Sequence, residues 1–290
     1  MVHSSQGLLR QMHDLSKYVE TTSQRTVEQH VQQQVYTRQE YVIEEVPVAL
    51  VYNGISHAVM MMTGANLIEF ALGFSLSEGI LPDLSALYKI DVKRHTVGFT
   101  VEMEISSAAF FRLKQQRRNL VGRSGCGLCG IDSLQQFQQP IAKITTPVQI
   151  DWLNDIEHAV AALAQRQPIT QQTGAAHAAA WIEQGMIQAV FEDVGRHNAL
   201  DKLLGYISLQ NIDISKGFVL MTSRASYELI QKCVKFNIAL LATISAPSSL
   251  AIDLAQRAGM TLASFCREQR FSLYSYPQEV DHARFKHSDE

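Results

Sequence analysis

The sequence has little of several features that mark common protein classes. Its net charge at pH 7 is only −3, so it carries no strongly basic field and we do not expect a nucleic-acid partner. Residues 1–34 lack the apolar core of a secretory signal, and no later run is long and charge-free enough to span a bilayer. We therefore expect a cytoplasmic protein with no membrane association.

Cysteine is also scarce, with four residues in a chain of 290. In the cytoplasm thiols stay reduced, so this number favours catalysis or metal binding over a disulfide framework. Two of the four, Cys126 and Cys129, lie in the stretch Gly122–Gly130, where four of nine residues are glycine. Such a loop offers almost nothing to bury, and packing therefore does not account for its thiols. We predict that Cys126 and Cys129 carry out chemistry.

The hydrophobic pattern divides the chain into three parts. Residues 1–34 are polar and glutamine-rich and are predicted to form a loosely ordered tail. Residues 35–139 are predicted to form a small α+β domain that includes a hairpin around Asn53-Gly54 and ends in the cysteine loop. In residues 140–290, apolar strands alternate with helices, and Pro168 is expected to stop the first helix. This pattern predicts an α/β domain with a largely parallel sheet covered on both faces.

Polar residues collect directly after four apolar strands of the second domain, where ligands bind in open α/β sheets. Arg196, Arg224, Arg267 and Arg270 in these segments can make two-point contacts with phosphate, and helix starts add free backbone N–H groups. The pattern favours a phosphorylated ligand such as a nucleotide, although the sequence contains no Gly-Lys-Ser/Thr motif. The four segments are Glu192–Asn198, Thr222–Ser226, Ser245–Ser249 and Cys266–Arg270.

Three interpretations of the Cys126/Cys129 pair remain open from the residues alone. A structural zinc site needs four ligands, and Cys233 and Cys266 do not form a second pair. A deaminase zinc site needs a His-x-Glu motif, which the sequence lacks. A dithiol redox pair has suitable spacing, but the expected helix start is missing. A nucleophilic or sulfur-carrying thiolate is the preferred interpretation.

Other polar residues are ambiguous. His177 before an apolar strand is as typical of a structural histidine as of a functional one. Asp193 and Lys202 are typical either of a solvated helix start or of a site. Cys233 is predicted to lie in the core, and no role is assigned to Cys266 from its position.

Taken together, these segments resemble the formate dehydrogenase accessory sulfurtransferases, the FdhD family. Near Met62–Asn66 the sequence departs from the family pattern, which has a Thr-Pro with acidic residues there. The resemblance runs from about residue 40 onward and rests on Ala71–Phe74, Ser77–Ile80, Cys126–Gly130, Thr173-Gly174 with His177, Glu192–Ala199 with Asp201-Lys202, Ser223-Arg224, Ser245–Ser249 and Phe265–Arg270.

The resemblance implies a specific function. Such proteins accept sulfur from a cysteine desulfurase and pass it to the molybdenum bis(guanine dinucleotide) cofactor before that cofactor enters formate dehydrogenase. It also implies a homodimer and a three-layer C-terminal domain similar to the cytidine-deaminase fold without its zinc. By position, Cys126 is implied to hold the persulfide. Cys129 is a candidate either to receive that sulfur or to release it by forming a disulfide with Cys126. The resemblance implies that the cofactor's nucleotide is contacted by Phe265, Cys266, Arg267, Glu268, Gln269 and Arg270. We predict that the cofactor is also bound by Arg196, His197, Ser223 and Arg224.

Two other functions compete with this one. The first is a chaperone that binds the molybdenum cofactor while the cysteines only gate its pocket. The second is a nucleotide hydrolase on a deaminase-like fold, against which the missing His-x-Glu motif already argues.

Overall fold

The computed structural model describes residues 20–120 and 141–276, and the side chains of residues 116–120 are not described. These ranges form twelve strands and seven α-helices. The strands are β1 Thr22–Val31, β2 Gln34–Ile43, β3 Val46–Tyr52, β4 Ile55–Met62, β5 Leu87–His95, β6 Gly98–Ile105, β7 His177–Glu183, β8 Met186–Asp193, β9 Gly217–Met221, β10 Leu240–Thr243, β11 Thr261–Arg267 and β12 Arg270–Ser275. The helices are α1 Leu67–Ser77, α2 Ser107–Leu120, α3 Asp151–Leu163, α4 Pro168–Thr173, α5 Arg196–Leu209, α6 Tyr227–Lys235 and α7 Ser249–Ala258. None of the helices in these ranges has the length and apolar character needed to cross a membrane.

The chain divides into two compact units. The described part of the first consists of residues 20–120, 167–178 and 191–212, and that of the second of residues 141–166, 179–190 and 213–276. Helix α5 therefore groups with the N-terminal strands, although it follows β8 in the chain. The domain boundaries 35–139 and 140–290 stay a prediction.

The first unit contains a four-stranded sheet in the order β4-β3-β6-β5. Strands β3 and β4 form the predicted hairpin, and its turn residues Asn53 and Gly54 have φ values of 46° and 79°. Both are in the left-handed region, which asparagine and glycine reach most easily, so this turn was readable from the sequence. The prediction of the hairpin is confirmed.

Two helices of the first unit cross at glycines. A Cβ atom added at Gly73 on α1 would lie 1.8 Å from the Asp201 carbonyl oxygen, and one added at Gly205 on α5 would lie 1.8 Å from the Glu69 carbonyl oxygen. Because no real side chain tolerates such distances, both positions require glycine and the two backbones are in direct contact. This crossing fixes α5, whose first turn carries Arg196 and His197.

The prediction of a loosely ordered tail is wrong for residues 20–34, the part of it that the structure describes. Strand β1 pairs antiparallel with β2 over all ten residues, from Thr22 opposite Ile43 to Val31 opposite Gln34. The turn consists of Gln32 and Gln33, with φ values of 47° and 69°. Neither glycine nor asparagine marks this turn, and few apolar residues alternate along the strands. The usual signals of a hairpin are therefore absent from the sequence. Residues 1–19 lie outside the described ranges.

The largest sheet has six strands in the order β12-β11-β10-β9-β7-β8. Helix α3 packs on it through Trp152, Leu153 and Ile156, which join a core with β-strand residues such as Phe218 and Leu240. The mixed α/β class is confirmed, whereas the similarity to the cytidine-deaminase fold stays a prediction. The prediction of a largely parallel sheet is only partly correct. Strands β9, β10 and β11 are parallel, but β7 pairs antiparallel with β9, and β12 pairs antiparallel with β11.

Pro168 has a different role from the one predicted. Helix α3 ends at Leu163, before a short 3-10 turn, and Pro168 is the first residue of α4. Proline suits this position because the first helical N–H has no partner within the helix. The next two N–H groups, of Ile169 and Thr170, donate to the Glu192 carboxylate at 2.9 and 2.8 Å. Glu192, the first residue of one of the four predicted polar segments, therefore caps α4.

Candidate functional site

The two cysteines predicted to react, Cys126 and Cys129, lie outside the described residues. Helix α2 ends at Leu120, six residues before Cys126 in the sequence.

Three of the four predicted polar segments meet at the carboxyl ends of β9, β10 and β11, which we call the carboxyl edge. Ala225 after β9 forms a parallel bridge with Pro247 after β10, with hydrogen bonds from Ala225 N to the Ala246 oxygen (3.2 Å) and from Ser248 N to the Ala225 oxygen (3.0 Å). Phe265 N of β11 donates to the Ser245 oxygen at 3.3 Å. Backbone hydrogen bonds thus join the three segments into one edge, which carries exposed Arg224, half-buried Phe265 and buried Ser223.

Phe265 adopts an unusual backbone conformation. Its φ is 55°, and the pairing of β11 with β12 shifts register between Ser264 and Arg267. A left-handed phenylalanine is rare because its Cβ crowds the backbone, and such strain is concentrated at functional sites. The bulge places the half-buried Phe265 ring at the carboxyl edge, with the Arg267 guanidinium 5.6 Å from its centroid.

The end of this segment is a tight turn between β11 and β12. Glu268 and Gln269 have φ values of 54° and 57°, and Arg270 forms an exposed ion pair with Glu268 at 3.1 Å. Arg224, Arg267 and Arg270 are exposed and so can reach an anion in solvent. The segment Phe265–Arg270, which is predicted to contact the cofactor, therefore consists of a bulge followed by a turn.

Cys266 points into the core rather than toward a ligand. It is 1% exposed, and burial raises the pKa of its thiol to about 12. A thiol with this pKa is almost wholly protonated at neutral pH and is a poor nucleophile. Cys233 on α6 is also buried, as predicted. The structure therefore assigns neither thiol to sulfur chemistry, and the prediction that Cys266 contacts the cofactor rests on its backbone alone.

Two helices begin at the carboxyl edge. Ser248 caps α7 by accepting from Ala251 N at 3.3 Å. Ser226 precedes α6, but its side chain does not cap the helix, and its buried Oγ has no hydrogen-bond partner within residues 20–120 and 141–276. The N–H groups of the first turn of α6 are therefore not satisfied by their own cap residue, which suits an oxyanion ligand.

Arg196 and His197 lie in the first unit, on the first turn of α5 after Gly195. Both are half-buried, and the Arg196 Nε has no hydrogen-bond partner in the described part of the chain. The structure places these two residues beside a network of buried charges, which includes residues that sequence reasoning had left ambiguous.

That network is centred on Asp193, which is 0% exposed. Its Oδ2 accepts from Lys202 Nζ (2.7 Å), Thr63 Oγ1 (2.9 Å) and Thr63 N (3.1 Å). Its Oδ1 accepts from Gly195 N and Asn198 Nδ2, both at 2.9 Å. The carboxylate is thus fully satisfied by five donors and holds the loop that leads to Arg196.

Lys202 completes the network from helix α5. It is 0% exposed, donates to Thr63 Oγ1 at 2.6 Å and to the Glu192 carbonyl oxygen at 3.2 Å, and pairs with Asp193. Burial lowers the pKa of Lys202, an effect that the Asp193 charge opposes. Asp193 and Lys202 therefore form a buried structural ion pair, which is neither of the two interpretations that the sequence left open. Thr63 was missed because its partners lie about 130 positions away in the sequence.

Within the described ranges, no three side chains among His, Cys, Asp and Glu are grouped so that they could hold a metal ion.

The comparisons with known proteins agree on one family. A sequence model of the FdhD/NarQ family matches residues 43–281. A protein of Acinetobacter baylyi named sulfur carrier protein FdhD is 56% identical over 246 residues, which cover 85% of this chain and 89% of that protein. A Cupriavidus necator protein of the same name is 51% identical over 245 residues, covering 83% of this chain and 84% of that protein.

The chain is also similar in fold to a solved structure. The crystal structure of a putative formate dehydrogenase accessory protein from Desulfotalea psychrophila superposes with a TM-score of 0.68. It covers 89% of this chain and 98% of the solved chain, and the two sequences are 22% identical. At that identity the superposition shows a common fold.

Proposed function

Because the chain belongs to the FdhD/NarQ family, we propose that it is a sulfur carrier that serves formate dehydrogenase. The observation that carries the proposal is the family match together with the glycine-rich Cys126-x-x-Cys129 loop, which it includes. Curated relatives at about half identity bear the name sulfur carrier, and the similar solved structure is described as an accessory protein of formate dehydrogenase. We further propose that the chain acts in the cytoplasm as a homodimer.

In the loading step, Cys126 accepts sulfur from a cysteine desulfurase. The Cys126 thiolate attacks the outer sulfur of the donor persulfide, the donor S–S bond breaks, and its electron pair leaves on the donor thiolate. Electrons balance without a further oxidant, and Cys126 becomes a persulfide. Arg123 in the same loop favours the reactive thiolate by its charge.

In the release step, Cys129 supplies the two electrons that free the sulfur. Its thiolate attacks the inner sulfur of the Cys126 persulfide, a Cys126–Cys129 disulfide forms, and hydrosulfide leaves toward the bound acceptor. A cellular dithiol reductant then restores both thiols. The acceptor is the bis(guanine dinucleotide) form of the molybdenum cofactor, which is the substrate of this step and afterwards enters the formate dehydrogenase apoenzyme.

The carboxyl edge is the proposed binding surface for the nucleotide part of this substrate. A guanine base can stack on the half-buried Phe265 ring, and phosphates suit the exposed Arg224, Arg267 and Arg270 with the uncapped start of α6. Glu268 and Gln269 supply further exposed polar groups. The predicted contacts of Ser223, which is buried, and of Arg196 and His197, which lie in the first unit, stay predictions. A deaminase-like arrangement of the second unit fits this use of the strand ends.

The loading step is tested by incubating the purified chain with a cysteine desulfurase and cysteine. We expect intact-mass spectrometry to show one added sulfur atom and peptide mapping to place it on Cys126. Cys126→Ala should abolish the addition. Cys129→Ala should still load but should release sulfur at least about tenfold more slowly, because the internal attack is lost. Ser124→Ala is the matched control and should behave like the wild type.

Sulfur that is mapped to Cys233 or Cys266, or wild-type protein that acquires none, would contradict the proposal. A chain that takes up no sulfur but still binds the molybdenum cofactor would instead support the chaperone function.

A further inference from the structure

Helix α2 presents an exposed basic surface directly before the cysteine loop. Between Glu104 and Asp132 the sequence contains no acidic residue and five basic ones, which are Arg112, Lys114, Arg117, Arg118 and Arg123. The chain as a whole has a net charge of −3, so this stretch stands out against its average.

The helix buries one side only. Ala109 and Leu113, four residues apart, are 0% and 1% exposed and attach α2 to the first unit. The opposite arc, about 160° wide by helical geometry, carries Phe111, Arg112, Lys114 and Gln115, all of them exposed. We call these four residues the α2 face.

The α2 face combines an apolar centre with positive charge. Phe111 is 57% exposed and lies next to Arg112 on this face. Within the described ranges neither Arg112 nor Lys114 takes part in an ion pair, and Lys114 Nζ instead lies 4.7 Å from the centroid of the Phe110 ring. Aromatic residues and arginine are enriched at protein–protein interfaces, so the pairing of Phe111 with Arg112 suits a protein-binding surface.

From these observations we propose that the α2 face docks the acidic surface of the protein that donates sulfur to Cys126. This inference rests on the proposed function. Nucleic acid is disfavoured as the occupant because the chain is acidic overall. Residues 121–140 carry one basic and one acidic side chain, Arg123 and Asp132, so their net charge of zero does not complement the face.

The position of the face suits a donor protein. Leu120, the last residue of α2, is six residues from Cys126, and six extended residues span at most about 20 Å. A donor bound to the α2 face is therefore held within reach of the thiol that it must load.

The test compares loading rates of wild type, Arg112→Glu/Lys114→Glu and a control, Arg94→Glu/Arg166→Glu. Both double variants change the net charge equally, and Arg94 and Arg166 are exposed residues outside α2. With a cysteine desulfurase and cysteine at low salt, we expect the α2 variant to load at least about tenfold more slowly and the control within about twofold of wild type. Added salt should slow wild type and leave the α2 variant nearly unchanged.

A second donor separates docking from chemistry. With glutathione persulfide, a small donor that needs no docking surface, all three proteins should load equally. Phe111→Ser should slow loading from the desulfurase at both low and high salt, because its contribution is apolar. Equal desulfurase rates for wild type and the α2 variant would overturn the docking inference, as would an α2 variant that also loses loading from glutathione persulfide.

Failure of the proposed function has a different signature. Wild type that loads from neither donor contradicts the sulfur-carrier function itself, and the docking inference is then judged on the affinity of the desulfurase for wild type and the α2 variant.

The C-terminal residues 277–290 have a net charge of −2 and are the alternative occupant of the α2 face. If their removal abolishes the difference between wild type and the α2 variant, the tail covers the face and the inference is wrong.

Discussion

Replacing Lys202 with methionine is expected to lower the free energy of unfolding by about 3–5 kcal/mol. Methionine keeps the linear shape of the side chain but leaves the fully buried Asp193 without its cation. Four other hydrogen bonds, two of them from Thr63, remain to the carboxylate and keep it from being wholly unsatisfied. The loss should therefore lie toward the lower end of that range.

The matched control is Lys216→Met. Lys216 is 60% exposed and lies 3.9 Å from Asp213, so its loss should cost less than about 1 kcal/mol. Urea unfolding followed by circular dichroism measures both changes. The two tryptophans, Trp152 and Trp181, belong to the second unit, so their fluorescence reports that unit and complements the dichroism signal. A Lys202→Met protein as stable as the control would show that the buried ion pair is not a structural requirement.

A double variant tests whether the charges act as a pair. Asp193→Asn/Lys202→Met removes both charges and keeps side chains of similar size at both positions. Because a buried carboxylate is costly mainly when it is unpaired, the double variant should lose less stability than the sum of the two single variants. Additive losses would contradict the coupling between Asp193 and Lys202.

Replacing Gly205 with alanine is expected to lower the free energy of unfolding by about 1–3 kcal/mol or more. Alanine is intrinsically the better helix former by about 1 kcal/mol, so the change would stabilise a helix with free space around it. Here the new Cβ would meet the Glu69 carbonyl oxygen at 1.8 Å, which only a separation of α1 and α5 relieves. The steric cost should therefore exceed the propensity gain.

Ser208→Ala on the same helix is the control for Gly205→Ala. Ser208 is half-buried and its hydroxyl donates only to the Leu204 carbonyl oxygen of its own helix, so its loss should be nearly neutral. Gly73→Ala should destabilise like Gly205→Ala, and the double variant should lose less than the sum because one separation of the helices accommodates both methyl groups. A stabilised Gly205→Ala protein would contradict the close crossing.

The sequence predicted best those elements whose signals are local. The Asn53-Gly54 turn has a residue pattern that only a tight hairpin requires, so it could be predicted without reference to other parts of the chain. The β1–β2 hairpin was missed because Gln32 and Gln33 take up positive φ values that their residue type does not announce. Its register comes from ten consecutive pairs instead, which no short window of sequence reveals.

The candidate site was predictable only in part, for a similar reason. The rule that ligands bind beyond strand ends brought Ser223, Arg224 and Phe265 to one edge, since it depends on the order of strands and helices alone. The burial of Asp193 and Lys202 was not predictable, because a charged residue is buried only when a distant partner, here Thr63, satisfies it. The buried position of Cys266, next to exposed Arg267, depends on a bulge that the sequence does not mark.

The central claim, that Cys126 carries the sulfur required by formate dehydrogenase, is tested most directly by formate oxidation in cells. A strain that lacks the gene for this chain would be complemented with wild type, Cys126→Ala or the loop control Ser124→Ala, each verified for equal protein level. We predict that wild type and Ser124→Ala restore formate dehydrogenase activity and that Cys126→Ala leaves it at the level of the uncomplemented strain. Full activity with Cys126→Ala would contradict the sulfur-carrier account and favour a role in binding the cofactor without transferring sulfur.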